Sequence, residues 1–469
     1  MSVDARPRRR FFRRRTTETA HSDNLLSYTD QTLFIATRAT DQEAIIQATW
    51  IYEHPVDYEA LHRFYDNFGY GLAGRLIERS PVPFGRHRWV SSLGAPLDIE
   101  IAEPRPRSEL SDWCDERSQL PVDAEWGPGW RIGILPMTDG STAISMCGSH
   151  CLGDGIAAAM RAFEAINGIT PDLGYPPPRS RTRSQAIVED LRQAARDLPV
   201  TLKALVALIA LLYKRRAELR RPKSSPLKGI PASELKRNVL LPAVSLSVDL
   251  TEWDARAEAL KGNGHSLIAG FAAKIAEHIG RVNAQDGTVT LMTPISDRAL
   301  VDTDNRANAV AIASVKFDPK DVCTDLTGAR DAMRTGVKNA RAETDEVAAI
   351  LPLVPLLPKR LVGAIAGAAL GFSADLPVSC SNVGDLPAEL LGIDGTQAEY
   401  LFFRGTDRRV TREALERRSG LLTILAARMG GHNLITVVGY QPGWDNTTQK
   451  LREVVEQTLK EFDLPGTIV

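Results

Sequence analysis

Cysteine is scarce in this chain of 469 residues, with five in all: Cys114, Cys147, Cys151, Cys323 and Cys380. The number is odd, and no pair has the two-residue gap of a zinc or redox site, so a reducing cytoplasm fits best. Net charge is nearly absent as well, at −1, which argues against nucleic-acid binding through bulk charge. Long apolar runs are missing. Ala204 to Tyr213 (ALVALIALLY) and Leu361 to Phe372 (LVGAIAGAALGF) fall short of the about 20 residues a bilayer span needs. Each reads as a helix buried against the protein, with a membrane-surface role as the alternative. Neither HExxH nor GxxxxGK[ST] occurs, so neither a metal cluster nor a phosphate loop is predicted.

What is present begins with an asymmetry of charge. Residues 1–15 hold seven arginines and one acid, and the remainder carries 50 basic and 57 acidic residues. The arm over 1–21 reads either as a solvated tail or as a contact for anionic lipid headgroups, helped by Phe11 and Phe12. Thr16 to Asn24 is polar, which excludes a twin-arginine export signal.

The length calls for two domains. Apolar Leu61, Phe64 and Phe68 predict a helix from Asp57 to Tyr70. Strands are predicted at His87–Ser92, Pro96–Ile101, Trp130–Pro136 and Thr142–Cys147, the last two joined in a hairpin by Thr138-Asp139-Gly140. Trp126 and Trp130 read as core. Gly155 to Ile166 is rich in helix formers. Pro176-Pro177-Pro178 and RSRTRS open a linker with helical crossover over 177–226. A second strand-and-helix unit fills 227–469. In it Thr251 caps a short helix, His265 or Ser266 starts another, and helices span about 325–342 and 345–372. Four further strands, near Pro377–Val383, Glu399–Phe403, Leu421–Ala427 and Asn433–Val438, precede a closing helix at Thr447–Phe462.

One stretch carries chemistry. Ser149-His150-Cys151-Leu152-Gly153-Asp154-Gly155 follows the hairpin and precedes the helix. A histidine can take and return a proton near neutral pH, and an Asp-Gly behind it can turn the chain and start a helix. Alone, the heptapeptide is equally a histidine satisfied in a tight turn, and Cys151 reads as a small buried side chain.

In its setting, WRIGILPMTDGSTAISMCGSHCLGDG resembles the core of the condensation-domain-like, coenzyme-A-dependent acyltransferase superfamily. That group includes chloramphenicol acetyltransferase, peptide-synthetase condensation domains, polyketide-associated acyltransferases and wax ester synthase/diacylglycerol acyltransferases. Its signature is HxxxDG between a strand pair and a helix. The resemblance extends over nearly the whole chain through Leu25–Asp30, His265–Ala269, Met292–Arg298 (MTPISDR) and Ser381-Asn382-Val383-Gly384. Many members have two consecutive histidines, and here the first is Ser149.

The resemblance implies an α/β fold of two chloramphenicol-acetyltransferase-like lobes, each a mixed sheet with helices, with the active-site tunnel at their junction. The lobes fall at 22–176 and 227–469. It implies His150 as general base and Asp154 as structural support, in a salt bridge to Arg298. Gly155 lets the backbone pass close to substrate, and Ser381, Asn382 and His265 are candidate substrate contacts. The implied reaction moves an acyl group from acyl-CoA to an alcohol, with no bound cofactor. A lipophilic acceptor, a monomeric state, and a cytoplasmic location with peripheral membrane contact through the arm complete the expectation. A carrier-dependent, amide-forming condensation enzyme and a non-catalytic acyl-ligand or carrier-binding protein are the alternatives.

Overall fold

In the computed structural model, residues 24–214, 230–298, 304–357, 362 and 376–469 are described. The basic arm and nearly all of Leu361–Phe372 lie outside them. The first half of the chain runs α1 (Tyr28–Thr40), β1 (Glu43–Tyr52), α2 (Tyr58–Phe68), β2 (Arg75–Glu78), β3 (Arg88–Ser91), β4 (Glu100–Ile101), α3 (Leu110–Gln119), β5 (Trp130–Pro136), β6 (Thr142–Ser149) and α4 (Gly155–Ile166). The crossover α5 (Arg183–Lys214) leads to the second half. That half holds α6 (Ala232–Leu235), β7 (Ala243–Asp249), α7 (Leu250–Ala259), α8 (Gly264–His278), β8 (Val289–Ser296), β9 (Val310–Phe317), α9 (Thr327–Ala348), β10 (Val378–Asp385), β11 (Tyr400–Arg408), α10 (Arg412–Arg417), β12 (Leu421–Met429), β13 (His432–Tyr440), α11 (Thr448–Glu461) and β14 (Gly466–Ile468).

Two mixed sheets with helices make the two expected lobes. The first has strand order β11-β1-β6-β5-β4, the second β14-β7-β13-β12-β10-β8-β9. β5 and β6 form the predicted antiparallel hairpin, with Trp130 opposite Gly148 and Pro136 opposite Thr142. β6 is buried at seven of its eight positions, because it is central in the sheet and covered on both faces. The second core gathers around α8, whose Leu267, Phe271 and Ile275 are fully buried against β8, β10 and β12.

Several expectations change. Strand β11 leaves the second half of the chain to pair with β1, Tyr400 opposite Ile51 through Arg408 opposite Glu43. Residues 227–469 therefore do not map onto one lobe; the two sheets are tied by an exchanged strand. Trp126 is not core. It is 67% exposed, with the Arg179 guanidinium over its ring, while Trp130 is buried. The 345–372 helix is also revised: α9 runs unbroken to Ala348 and gives way to a 3-10 turn at Leu351–Leu356 that holds Pro352 and Pro355. Asp249, not Thr251, caps α7 by accepting from the Thr251 and Glu252 amides. Asn263 caps α8 in a reciprocal box with Ser266. Asp249 sits two residues upstream of the expected cap, and α8 starts at Gly264, one or two residues before the expected start. The linker is pinned where Arg181 meets Glu78, Glu189 and Asp190.

Candidate active site

The site is built from the first lobe outward. β6 ends at Ser149, and the chain turns through His150, Cys151, Leu152 and Gly153 into α4. The His150 amide donates to the Ala44 carbonyl at 2.9 Å, which ties the turn to the entry of β1. Ser149 is buried, and the Cys151 amide donates to its hydroxyl. Cys151 is buried too, which pushes its thiol up to about 12 and leaves it inert as a nucleophile.

Asp154 is fully committed to architecture. Its Oδ1 caps α4 by accepting from the Ala157 amide at 2.8 Å. Its Oδ2 accepts from Arg298 Nη2 and from the Ala309 amide, both at 2.9 Å. The Asp154–Arg298 pair is nearly closed to water, at 7% and 2% side-chain exposure. No oxygen of Asp154 is left to orient the His150 ring. His150 Nδ1 is buried without a hydrogen-bond partner among the described residues. Among the described residues, no carboxylate bonds to His150 Nδ1.

Arg298 also donates to the Arg306 and Ala307 carbonyls, each at 3.0 Å. The segment it holds, 305–309, is gripped from the first lobe as well. Asp30 in α1 accepts from the Ala307 and Asn308 amides and from Asn308 Nδ2. Arg75 in β2 donates to the Asn305 and Leu152 carbonyls. Asn308 Nδ2 closes the circuit on the His150 carbonyl at 3.1 Å. Asp30, Arg75 and Asn308 are thus structural partners of the motif that the sequence reading did not single out. Asp30 stood inside the Leu25–Asp30 landmark, but no local signal ties it to Asn308, 278 residues away.

Gly155 opens α4 with open space around it: a Cβ there would meet nothing within 4 Å. Asp154 takes up the Ala157 and Ala158 amides, which leaves the Gly155 and Ile156 N–H groups uncapped at the positive end of the helix.

The second group of candidates converges on the other lobe. β8 and β10 run parallel but pair only at Val378–Leu291 and Ser379–Met292, then part. Arg298 lies just past the carboxyl end of β8, and Ser381 and Asn382 lie toward the carboxyl end of β10. The β10–β12 register shifts between Asn382 and Asp385, a bulge that re-aims the strand. Asn382 Nδ2 lies 3.0 Å from His265 Nδ1 in the first turn of α8. His265 and Asn382 are therefore partners of each other. Ligands of open α/β sheets bind outside the carboxyl ends of such strands.

Two cavities lie elsewhere. One, of about 280 Å³, is lined by Leu25, Arg88 and Glu189, Arg192, Gln193 and Arg196 of α5. The other, of about 60 Å³, lies in the second lobe beside Arg281 and Met292. Neither touches His150, Ser381 or Asn382, so the tunnel expected at the lobe junction is neither of these. No three His, Cys, Asp or Glu side chains among the described residues converge to hold a metal ion.

No family model matches this sequence, and no curated protein matches it. Solved structures do. The wax ester synthase/diacylglycerol acyltransferase from Marinobacter aquaeolei VT8 is 16% identical, covers 94% of this chain and 98% of its own, and has a TM-score of 0.54. The first condensation domain of the calcium-dependent antibiotic synthetase, in complex with a substrate analogue, is 11% identical over 94% and 95%, with a TM-score of 0.57. Polyketide synthase associated protein 5 from Mycobacterium tuberculosis is 15% identical over 93% and 97%, at 0.50. The chain shares the two-lobed, condensation-domain-like fold of these structures.

Proposed function

We propose that this chain is an acyltransferase that moves an acyl group from a coenzyme A thioester to the hydroxyl of a lipophilic acceptor. The observation that carries the proposal is the loop circuit. Asp154, Arg298, Asp30 and Asn308 hold the turn around His150 and leave its ring the one titratable side chain in HxxxDG free for chemistry.

His150 takes the proton from the acceptor hydroxyl as the oxygen attacks the thioester carbonyl. The C–O bond forms, the C–S bond breaks, and His150 returns the proton to the leaving thiolate. A histidine side chain can both accept and release a proton near neutral pH, which suits both directions. The uncapped Gly155 and Ile156 amides face the developing oxyanion. Ser381, Asn382 and His265 supply polar contacts to the bound substrate. Asp154 does no proton chemistry. The acyl donor is a co-substrate, and no resident cofactor takes part.

The test is a panel of acyl-CoA donors and alcohol acceptors, read by release of free thiol. Release that needs both an acceptor and His150 supports the proposal. Turnover confined to carrier-bound donors replaces it with the condensation-enzyme reading. The absence of release with every donor, beside tight carrier binding, replaces it with a binding protein.

A further inference from the structure

Helix α5 departs from the expected burial. In its second half Leu202, Leu205, Ile209 and Leu212 are exposed rather than packed inward. Its first half presents charge instead. Glu189, Arg192, Gln193 and Arg196 line a cleft of about 280 Å³, which Leu25 and Arg88 of β3 complete. Steps of three and four put the four α5 residues on one helical face.

The cleft gathers three guanidinium groups, and the acids around them are already engaged. Arg88 donates from Nη2 to Asp190 Oδ1 at 3.2 Å and from Nη1 to Asn24 Oδ1 at 3.3 Å, which hold it in place. Asp190 is buried and also accepts from Arg181 Nη1 at 3.0 Å and from Ser80 Oγ at 2.6 Å. Glu189, the one acid in the lining, accepts from Arg181 at 3.2 Å. Asp197, one residue past Arg196, accepts from Gln193 Nε2 at 3.0 Å. Arg192 and Arg196 are exposed and have no acidic partner among the described residues. Like charges four residues apart on a helix repel, so folding alone gives no reason for this pair. An anion bound between them turns the repulsion into attraction.

The residue type narrows the anion. Arginine forks match the oxygens of a phosphate group, and three of them, from two elements, exceed what the two oxygens of a carboxylate can satisfy. A phosphomonoester brings three acceptor oxygens and a charge of about −1.5 to −2. Leu25 is the single apolar residue of the lining, so the walls offer little to an acyl chain. The cleft includes none of His150, Ser381 and Asn382.

We propose that this cleft binds a small, soluble phosphomonoester, with Arg192 and Arg196 gripping the phosphate group and Arg88, held by Asp190, completing the cradle. The site is independent of the proposed reaction at His150.

Titration calorimetry of the full chain at constant ionic strength tests it, with glycerol 3-phosphate, inorganic phosphate and malonate as probes. Both phosphate ligands bind at one site per chain, and malonate binds at least about tenfold more weakly. Arg192→Gln with Arg196→Gln weakens the phosphate ligands about tenfold or more and keeps the circular dichroism and melting temperature of the wild type, since both side chains are exposed. Arg183→Gln with Lys203→Gln removes the same charge from exposed positions of α5 outside the cleft, and leaves binding within about twofold. Absence of binding by either phosphate ligand overturns the proposal. So does an equal loss in the two double variants, which reduces the effect to bulk charge, and so does malonate bound as tightly as phosphate. Flotation with phosphatidic acid vesicles that the Arg192, Arg196 variant loses, without binding of glycerol 3-phosphate, overturns it in favour of a lipid headgroup.

Discussion

The loop around His150 and the Ser381–Asn382 segment reach the same end of the second sheet with very different amounts of scaffolding. The first is held by Asp154, Arg298, Asp30, Arg75 and Asn308, all buried or nearly so, through bonds that cross between the lobes. The second lies in the β10–β12 ladder, and the Asn382 side chain adds only local bonds, to an exposed His265 and from the Gly384 amide, beside a bulge. A proton-transfer group must keep its geometry to a fraction of an ångström, and cross-lobe bonding provides that. A surface that selects among acyl chains or acceptors has no such need. Under the proposed function, the contrast separates a chemical half-site from a recognising one.

The comparison breaks first at Asp154. Asp154→Ala removes the acid from a buried pair and the cap from α4, and costs about 3–5 kcal/mol of stability. Calorimetry or urea unfolding checks this, and unfolding indistinguishable from the wild type would reduce Asp154 to a surface-like role.

Acid comes next, because the α1 side of the scaffold contains a buried histidine. Burial pushes His87 down to about 4, with Arg79 reinforcing the shift. Its amide donates to Gln31, one residue from Asp30. The folded chain keeps His87 neutral, while the unfolded chain protonates it below about pH 6.5. Stability is therefore full above that value and falls as the pH drops toward about 4, by about 3 kcal/mol in all. Urea unfolding across the window reads the slope. His87→Asn flattens it if the assignment holds.

Asn308→Ala is smaller. It leaves the His150 carbonyl and one Asp30 oxygen without their side-chain donor, at about 1–3 kcal/mol. The thiol-release rate falls with the melting temperature here, since the variant loosens the turn that carries the base. Asn382→Ala, by contrast, lowers stability by under about 1 kcal/mol and shifts KM or acyl preference instead.

Gly155→Ala has the smallest effect on folding. Its Cβ enters open space at a helix start, so stability stays level or rises by about 0.5–1 kcal/mol. The proposed function has the thioester approach through that space, so the kcat/KM ratio is expected to fall. An unchanged ratio would move the substrate away from the α4 terminus.

Much of the fold was legible because hydrophobic spacing and turn chemistry are local. The β5–β6 hairpin, α2, α4 and the closing helix α11 followed from residues within a few positions of one another. The His150-to-Gly155 stretch was legible because its resemblance to a known signature is compact. Arg298 was reached through that resemblance alone. Asp30, Asn308 and Arg75 were not reached, because their roles consist of contacts between residues 77 to 278 positions apart, and an aspartate in a first helical turn looks like any other. The exchanged strand β11 was equally hidden: Tyr400–Arg408 has ordinary strand composition, and nothing in it says which sheet it joins. The apolar runs teach the same point. Gly264–His278 and Leu198–Tyr213 are both rich in aliphatic residues, yet α8 is buried in the second core and α5 presents its stripe outward. Composition is silent on what covers a helix.

The central claim is that His150 performs the chemistry while Asp154 holds the loop. Its most direct test measures the thiol-release rate and the melting temperature together, on His150→Ala and Asp154→Ala. The account predicts that His150→Ala loses roughly 10²–10⁴-fold in rate at an unchanged melting temperature. It predicts that Asp154→Ala loses stability together with rate. A His150→Ala variant that still releases thiol at the wild-type rate would contradict it.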